Sequence, residues 1–394
     1  MNKEKTSLSF LIILSAFMAF TSLSTDIYLP AMPAMQADLG GRAELTVTGF
    51  VIGFALAQLI WGPISDHIGR KKPLFIGTIL FVIGSIGCAL SPSMEIVVIW
   101  RVFQALGACT GPMISRAMIR DRYDSTKAAQ MLSTLMMIMA AAPIIGPLLG
   151  GGLLSLGSWR LIFWLMVIIG IILFLSVNLL PETLEKEKRG SLSLGNSFRN
   201  YTFLLKSKKF MVYTMSVTFF YVAVYAFITG SSDIYINYFH IQPKVYSLLF
   251  GVNILGVSLM SMVNRCLVTH FNIGRLLAIS TSLAFIFSVI LAIMGVTHSF
   301  GLLGIVIPMF LVFSMNGIVA ACANAAALNT VSSDMSGSAA ALLGSLQYGS
   351  GVVPSVLLAV FADKTASTMT IIIAISIFLS ALMAWFGKEK LISK

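Results

Sequence analysis

The most constraining feature of this 394-residue sequence is a succession of continuous apolar stretches, each about 20 residues long. A helix that crosses the hydrocarbon core of a bilayer needs about that length. Transmembrane β-strands would instead alternate apolar and polar residues. Charged residues make up only 10% of the chain, whereas a soluble globular domain carries about a quarter. The sequence therefore predicts an all-α, polytopic membrane protein and leaves no stretch for a soluble domain of the kind that a single-span receptor carries.

We predict twelve transmembrane helices in two bundles of six. The predicted spans are 9–30, 45–64, 73–91, 95–118, 127–150 and 159–180, followed by 211–231, 245–265, 273–296, 301–325, 337–361 and 367–387. The domains are accordingly an N-terminal bundle (1–180), a charge-dense cytoplasmic linker (181–210) and a C-terminal bundle (211–394). This layout is typical of transporters built from repeated helical bundles, in which substrate binds at the interface of the repeats.

The basic residues predict the orientation of the chain. With both termini cytoplasmic, the 26 lysines and arginines lie on the cytoplasmic side except Arg42, Arg101, Arg160, Lys244 and Lys364. Such an asymmetry is what the positive-inside rule requires. The net charge of +11 thus reflects topology and contact with lipid headgroups, and we expect no nucleic-acid partner.

Two charged residues fall inside the predicted spans. Among fifteen acidic residues only Asp26 does so, and Arg101 is the basic residue at comparable depth. A charge near the bilayer centre costs about 2.5–3.5 kcal/mol on insertion scales, so each is a candidate functional group. The helical rise places both about 6–9 Å from the external ends of their helices. They form either a structural ion pair between helices 1 and 4, or a protonation site at Asp26 whose proton affinity Arg101 controls.

A polar and aromatic face on helix 7, together with amides on other helices, predicts the wall of a substrate cavity. Hydroxyl and aromatic groups suit amphipathic ligands, although the same residues also serve as polar contacts between helices. The candidate substrate-binding residues are Ser22, Tyr28, Gln58, Gln104, Thr218, Tyr221, Tyr225, Asn316, Asn324 and Gln347.

The sequence gives no indication of a cofactor, a metal or catalytic residues. It contains no G-x-x-x-x-G-K-[ST] motif, so ATP coupling within this chain is excluded. The four cysteines are scattered without a CxxC pair. Neither DDxxD nor HxxxxD occurs, which argues against a membrane transferase. We expect a monomeric transporter driven by a proton gradient, because a lone aspartate beside an arginine suits protons better than sodium.

The loop between spans 2 and 3 resembles a motif of a known protein family. Residues 62–73, GPISDHIGRKKP, resemble the G-x-x-x-D-x-x-G-R-[RK] motif of the major facilitator superfamily, with Gly62, Asp66, Gly69 and Arg70 at the motif positions. Asp66 is expected to accept hydrogen bonds from a helix N-terminus or from a nearby arginine such as Arg120.

Helix 5 resembles the G-P-x-x-G-G antiporter motif of drug exporters in the same superfamily. The matching positions are Pro143, Gly146, Pro147 and Gly150. This stripe of small residues is expected either to seal the two halves against each other or simply to pack helices. On helix 4, residues 101–104 resemble R-x-x-Q-G, although Ala105 replaces the glycine.

Residues 24–33, STDIYLPAMP, resemble the D-x-Y-L-P-A-x-P motif of the bicyclomycin and chloramphenicol resistance (Bcr/CflA) group. The resemblance covers the N-terminal half in register and is weaker in the second half. It implies a proton-coupled exporter of small, mostly neutral or zwitterionic amphipathic compounds in a bacterial inner membrane. An exporter of a physiological metabolite or siderophore, or a proton symporter, on the same scaffold stays an alternative.

Overall fold

A computed structural model describes residues 8–123, 125–186, 189, 194–332, 335–361 and 365–389. Over this part of the chain the secondary structure is helical and contains no β-strand. The first half forms α1 (Leu8–Asp26), α2 (Met32–Leu39), α3 (Glu44–Ile68), α4 (Lys71–Leu90), α5 (Met94–Ala108), α6 (Thr110–Arg122), α7 (Ser125–Leu154) and α8 (Arg160–Ser176). The second half forms α9 (Leu194–Lys206), α10 (Lys208–Ser232), α11 (Pro243–Leu267), α12 (Ile273–Thr297), α13 (Gly301–Ser314), α14 (Asn316–Leu328), α15 (Ser336–Gly349), α16 (Val352–Val360) and α17 (Ser367–Glu389).

These helices account for the predicted spans. Within the described residues, 11 helical segments are long and apolar enough to cross a membrane, and the remaining predicted span lies in α7, a continuous helix of 30 residues. Large apolar side chains on the outer faces, such as Ile83, Ile172 and Ile293, are exposed, as expected of helices that face lipid. The predicted all-α membrane fold is confirmed.

Several predicted spans are interrupted. Span 4 is broken at Cys109 into α5 and α6, and span 11 is broken at Ser350–Gly351 into α15 and α16. Each break lies just before a proline, Pro112 or Pro354, which lacks the N–H that would continue the helical hydrogen bonds of the preceding turn. Span 10 is likewise divided into α13 and α14 at Met315, where no proline is present.

The linker contains a helix that the sequence analysis did not predict. Helix α9 occupies Leu194–Lys206, inside the segment 181–210. Tyr201 and Leu204 are buried on one of its faces, whereas Phe203 is 60% exposed. A short amphipathic helix of this kind lacks the long apolar run by which the spans were found, which is why it was missed.

Contacts between α-carbons divide the chain into two compact units. The first comprises residues 1–41 and 49–194, and the second comprises 42–48 and 195–394. In the first unit, Phe17, Phe81 and Phe163 are fully buried. In the second, the ring of Phe227 stacks on Phe250 with centroids 5.8 Å apart. Each unit therefore has an aromatic core of its own.

Candidate functional site

Asp26 lies at the end of α1 in the first unit. Its side chain is only 6% exposed. The helix ends here because Pro30, four residues later, has no N–H to donate to the Asp26 carbonyl oxygen, and the chain continues as a 3₁₀ turn over Leu29–Ala31. Among the described residues, the Asp26 carboxyl group has no hydrogen-bond or ion-pair partner. The carboxyl group thus sits at a helix end, buried and unpaired.

Arg101 is completely buried on α5 and its guanidinium group is enclosed by aromatic rings. The guanidinium carbon lies 4.3 Å from the ring centroid of Tyr28 and 4.3 Å from that of Phe50. Nη1 donates hydrogen bonds to the carbonyl oxygen of Ser24, at 3.1 Å, and to the side-chain oxygen of Gln104. Nε and Nη2 have no partner in the described structure. Cation–π contacts with these two rings stabilise the charge and leave two donor groups available.

Gln104 connects this arginine to neighbouring helices. Its Nε2 donates to the hydroxyl oxygen of Ser85 on α4 at 2.8 Å and lies 3.5 Å from the sulfur of Met166 on α8. Gln104 and Tyr28 are both completely buried. The structure therefore places these two predicted substrate-binding residues around Arg101, as part of its enclosure.

The structure brings Asp26 and Arg101 into one unit but does not join them directly. Arg101 lies within electrostatic range of the Asp26 carboxyl group, yet no salt bridge between them is present among the described residues. Arg101 instead contacts α1 through the Ser24 carbonyl group and the Tyr28 ring. The first sequence interpretation, a structural ion pair between helices 1 and 4, is thus absent from this structure.

Direct packing aligns α1 with the broken helix 4. The Thr21 hydroxyl group donates to the carbonyl oxygen of Ala108 at 2.8 Å. A methyl group on Gly111 would lie 2.5 Å from the Phe17 carbonyl oxygen, so only glycine allows this approach. The contact on the α1 side is made by Phe17 and Thr21, and it sets the position of Arg101 next to the end of α1.

The glycines of the helix 5 motif pack against the same end of α1. A methyl group on Gly150 would overlap the carbonyl oxygen of Ile27, and one on Gly146 would lie 3.5 Å from the Cβ of Asp26. Helix α7 continues through Pro143 and Pro147 without interruption. These contacts lie within the first unit, where they hold the backbone around Asp26.

The loop motif between α3 and α4 forms a network of charges centred on Arg70. Gly69 has a φ of +93°, which favours glycine. Arg70 donates to Asp66 at 2.6 Å and to Asp121 at 2.8 Å. Asp66 thus accepts from a nearby arginine, as expected, but that arginine is Arg70, four residues along the chain, and not Arg120.

The N-terminus of α4 is instead bound by Glu182, a residue to which the sequence analysis gave no role. Its carboxylate accepts hydrogen bonds from the backbone N–H groups of Arg70, at 2.8 and 3.0 Å, and of Lys71, at 3.2 Å. A carboxylate is stabilised at a helix N-terminus. The Pro181-Glu182-Thr183 segment was the available signal, and Thr183 donates to Asp121 in the same network.

In the second unit, three of the predicted substrate-binding residues surround Tyr221 on α10. The Tyr221 oxygen accepts hydrogen bonds from the side-chain amides of Gln347 on α15 and Asn316 on α14. Its ring lies 5.9 Å from that of Tyr348, edge to face, and 6.3 Å from that of Tyr225. We call Tyr221, Asn316, Gln347 and Tyr348 the tyrosine–amide cluster.

Tyr225 and Thr218, also predicted to bind substrate, are buried inside the second unit. The Tyr225 ring is 6% exposed and packs against Gly351, where a methyl group would lie 2.8 Å from the ring. The Thr218 hydroxyl group donates to the Thr214 carbonyl oxygen of its own helix at 2.7 Å.

The remaining predicted residues lie elsewhere. Asn324 is half-buried on α14, eight residues beyond Asn316, and its side-chain oxygen has no partner among the described groups. Ser22 on α1 and Gln58 on α3 are half-buried in the first unit.

A family profile described as Major Facilitator Superfamily matches residues 12–355 of the chain. The chain belongs to the Major Facilitator Superfamily.

Comparison with individual relatives narrows the assignment from the whole superfamily to its drug exporters. The chain is 34% identical over 403 residues to an uncharacterized MFS-type transporter, YdgK, of Bacillus subtilis, which covers 98% of this chain and 96% of the relative. It is 26% identical to a bicyclomycin resistance protein homolog of Haemophilus influenzae, covering 98% of both. It is 28% identical to the multidrug resistance protein MdtL of Shigella dysenteriae, covering 75% of both. The resemblance to the drug-exporter group of the superfamily, and the prediction of a transporter and not an enzyme, are confirmed.

A solved structure agrees with the fold. A D-xylose-proton symporter superimposes with a TM-score of 0.75 over 96% of this chain and 97% of that chain, at 14% identity. At this identity the likeness establishes the shared superfamily fold alone. The fold places Asp26 and Arg101 in one unit and the neutral tyrosine–amide cluster in the other.

Proposed function

We propose that this protein is a drug/proton antiporter that exports small amphipathic, mostly neutral or zwitterionic compounds across a bacterial inner membrane by alternating access. Its membership of the superfamily supports transport of small molecules. The bicyclomycin and multidrug resistance relatives support export of drugs.

The observation that carries the proposal is the buried, unpaired Asp26 beside an enclosed Arg101. A carboxylate without a hydrogen-bond partner is costly in this surrounding, and protonation removes most of that cost. Loss of the proton leaves a charge that gains most by approaching the two unpartnered donors of Arg101. Protonation and deprotonation therefore favour different positions of the end of α1.

The surrounding backbone suits such a change. Asp26 is followed by a turn and a 3₁₀ segment with Pro30, so the end of α1 is not continued by helical hydrogen bonds. Helix α7 lies against the same backbone through Gly146 and Gly150. A displacement at Asp26 is thus transmitted directly to α7, a second membrane helix of the first unit.

The tyrosine–amide cluster is the proposed place of substrate contact. Its groups are aromatic and neutral, so they favour uncharged ligands. A permanently cationic substrate would have no carboxylate partner once Asp26 is protonated. We further propose that the protein acts as a monomer, without a cofactor, with both termini in the cytoplasm, and that the proton gradient is its sole source of energy.

The test has two steps. A broad compound panel is screened in a pump-deficient bacterial strain with and without the protein, which identifies exported compounds. The purified protein is then placed in liposomes under a proton gradient, and movement of one such compound and of protons is recorded together. Antiport requires the two to move in opposite directions. Movement in the same direction would make the protein a symporter, and compound movement that is indifferent to the gradient would remove proton coupling.

A further inference from the structure

The tyrosine–amide cluster offers an unusual pair of hydrogen-bonding groups. The Tyr221 oxygen already accepts two hydrogen bonds, from Gln347 and from Asn316. A phenolic group combines an acceptor oxygen with one O–H donor. Because the Tyr221 oxygen already accepts from two amides, what Tyr221 has left to offer is its hydrogen.

Asn316 supplies the complementary group. Its amide nitrogen is directed to Tyr221, and its side-chain oxygen, Oδ1, has no hydrogen-bond partner within the described structure. Leaving a buried carbonyl oxygen unpaired is unfavourable, so a ligand that donates to it recovers that loss. An O–H donor and a C=O acceptor thus lie side by side, on two residues already bonded to each other.

An unpaired oxygen alone does not mark a ligand site, because Asn253 on α11 also has one. Asn253 is buried at 2% exposure and its amide nitrogen is bound to the Leu249 carbonyl oxygen of its own helix. Asn316 differs because it is half-buried and is bonded to Tyr221, whose ring contacts the half-buried Tyr348 ring. The combination of donor, acceptor and ring is what points to a ligand.

We infer that Tyr221 and Asn316 recognise the edge of an uncharged amide, so that the substrates named in the proposed function include compounds with a primary carboxamide or a cis amide next to a ring. On such an edge the carbonyl oxygen accepts from the Tyr221 O–H and the N–H donates to Asn316 Oδ1. The rings of Tyr221 and Tyr348 contact the apolar body of the ligand. This inference rests on the proposed role of the cluster in substrate contact.

The inference is tested by binding of three ligands that share a naphthalene ring to the purified full-length protein in lipid nanodiscs. 2-Naphthamide has both groups of the amide edge, N,N-dimethyl-2-naphthamide lacks the N–H donor, and 2-ethylnaphthalene lacks both groups. Equilibrium dialysis against empty nanodiscs corrects for partitioning into lipid. We expect 2-naphthamide to bind several-fold more tightly than N,N-dimethyl-2-naphthamide, from which one neutral hydrogen bond separates it, and about tenfold more tightly than 2-ethylnaphthalene, from which two separate it.

Variants assign the preference to the two residues. Tyr221→Phe is expected to lower the affinity for both amides several-fold, since both use their carbonyl oxygen, and Asn316→Leu that for 2-naphthamide alone; both variants should leave 2-ethylnaphthalene binding unchanged. Asn253→Leu is the matched control, in which the preference persists. Tyr221→Phe conserves size, so it keeps the test decisive if Asn316→Leu fails to fold.

Three outcomes would overturn the inference: no measurable binding of 2-naphthamide, equal affinity of the wild type for all three ligands, or an equal loss for all three in the variants. These results can be separated from failure of the proposed function. Proton-coupled export of other compounds in liposomes, together with no amide preference, refutes only the amide inference. A preserved amide preference without any coupled proton movement refutes only the antiport.

Discussion

At the scale of single residues, the first unit contains a proton-binding candidate and a charge that are held apart. Arg101 is bound by the Ser24 carbonyl group and enclosed by two rings, while Asp26 has no partner among the described residues. An ion pair closed in the resting structure would favour the deprotonated state permanently. In the proposed function, this separation allows the Asp26 carboxyl group to gain and lose a proton, as a coupling site requires.

Replacing Asp26 by asparagine is expected to abolish coupled export. The variant Asp26→Asn conserves size and hydrogen-bonding capacity but cannot titrate. Export against a gradient in liposomes should fall to the level of empty liposomes, whereas the amount of protein in the membrane should equal that of the wild type. Coupled export at the wild-type rate would show that another group carries the proton.

Removing the charge of Arg101 is expected to shift the pH dependence of transport to higher pH. Without a positive neighbour the protonated form of Asp26 is favoured, so a higher pH is needed to release the proton. The shift is measured by comparing the pH profile of export by Arg101→Ala with that of the wild type. Arg101→Lys keeps the charge but loses the planar contacts with the rings, and should shift the profile less. A profile of Arg101→Ala that coincides with the wild type would leave Arg101 a packing role only.

The two tyrosines of α10 are expected to differ in what they support. Tyr225 is buried against Gly351, so Tyr225→Ala opens a cavity and should destabilise the protein by about 3 kcal/mol. Tyr221 is half-buried at the cluster, so Tyr221→Ala should lower substrate affinity several-fold and unequally among substrates. Melting temperature and ligand binding measured on the same preparations distinguish the two effects. A uniform loss of all binding in Tyr221→Ala, with a lowered melting temperature, would assign Tyr221 to packing as well.

At the scale of elements, the sequence predicted where the helices lie but not what interrupts or joins them. Continuous hydropathy located each span to within a few residues, because burial in lipid requires an apolar run. The break at Cys109 follows from a missing backbone N–H at Pro112, which hydropathy does not register. Glu182 binds the start of α4 from a position 112 residues away from Arg70, so the Pro181-Glu182-Thr183 segment could mark the residue but not its partner.

The candidate functional site also shows that the sequence identifies charged groups but not the groups that they contact. Charge inside an apolar run identified Asp26 and Arg101. Arg101 is positioned by the backbone carbonyl group of Ser24 and by the ring of Phe50. Nothing in the sequence distinguishes these two residues from the residues around them. Their roles arise only from tertiary contact.

The packing of α7 on α1 is expected to tolerate no side chain at Gly150. In Gly150→Ala the new methyl group overlaps the Ile27 carbonyl oxygen, so the end of α1 that carries Asp26 must move. Coupled export should fall at least tenfold, because the added methyl group overpacks a close contact between the two helices. Gly152→Ala is the matched control, since a methyl group there meets nothing within 4 Å. Alanine at position 152 should leave export intact, and full activity of Gly150→Ala would show that this contact does not constrain Asp26.

At the scale of the whole molecule, the chemistry is divided between the two units. The first contains Asp26, Arg101 and the charge network around Arg70. The second contains the tyrosine–amide cluster, whose groups are neutral. In the proposed function, proton binding and substrate contact therefore lie in different units, and transport requires that a change in one affect the other. The direction of transport then depends on which face of the molecule is exposed to the cytoplasm.

The orientation implied by the basic residues can be tested with a native cysteine. Cys266, at the end of α11, is exposed, whereas Cys88, Cys109 and Cys322 are buried. If both termini are cytoplasmic, that end of α11 is cytoplasmic as well. A membrane-impermeant maleimide should therefore label the protein in inverted membrane vesicles and not in intact cells.

A cysteine introduced on the other side of the membrane should give the opposite labelling pattern. Leu156, between α7 and α8, is 74% exposed, and it lies on the external side if the predicted topology is correct. In a Cys266→Ser background, Leu156→Cys should react in intact cells and not in inverted vesicles, while Cys266→Ser alone should react in neither. If intact cells labelled Cys266 and spared the cysteine at 156, the orientation would be reversed. The 26 lysines and arginines would then violate the positive-inside rule, and export would have to be reassigned as uptake.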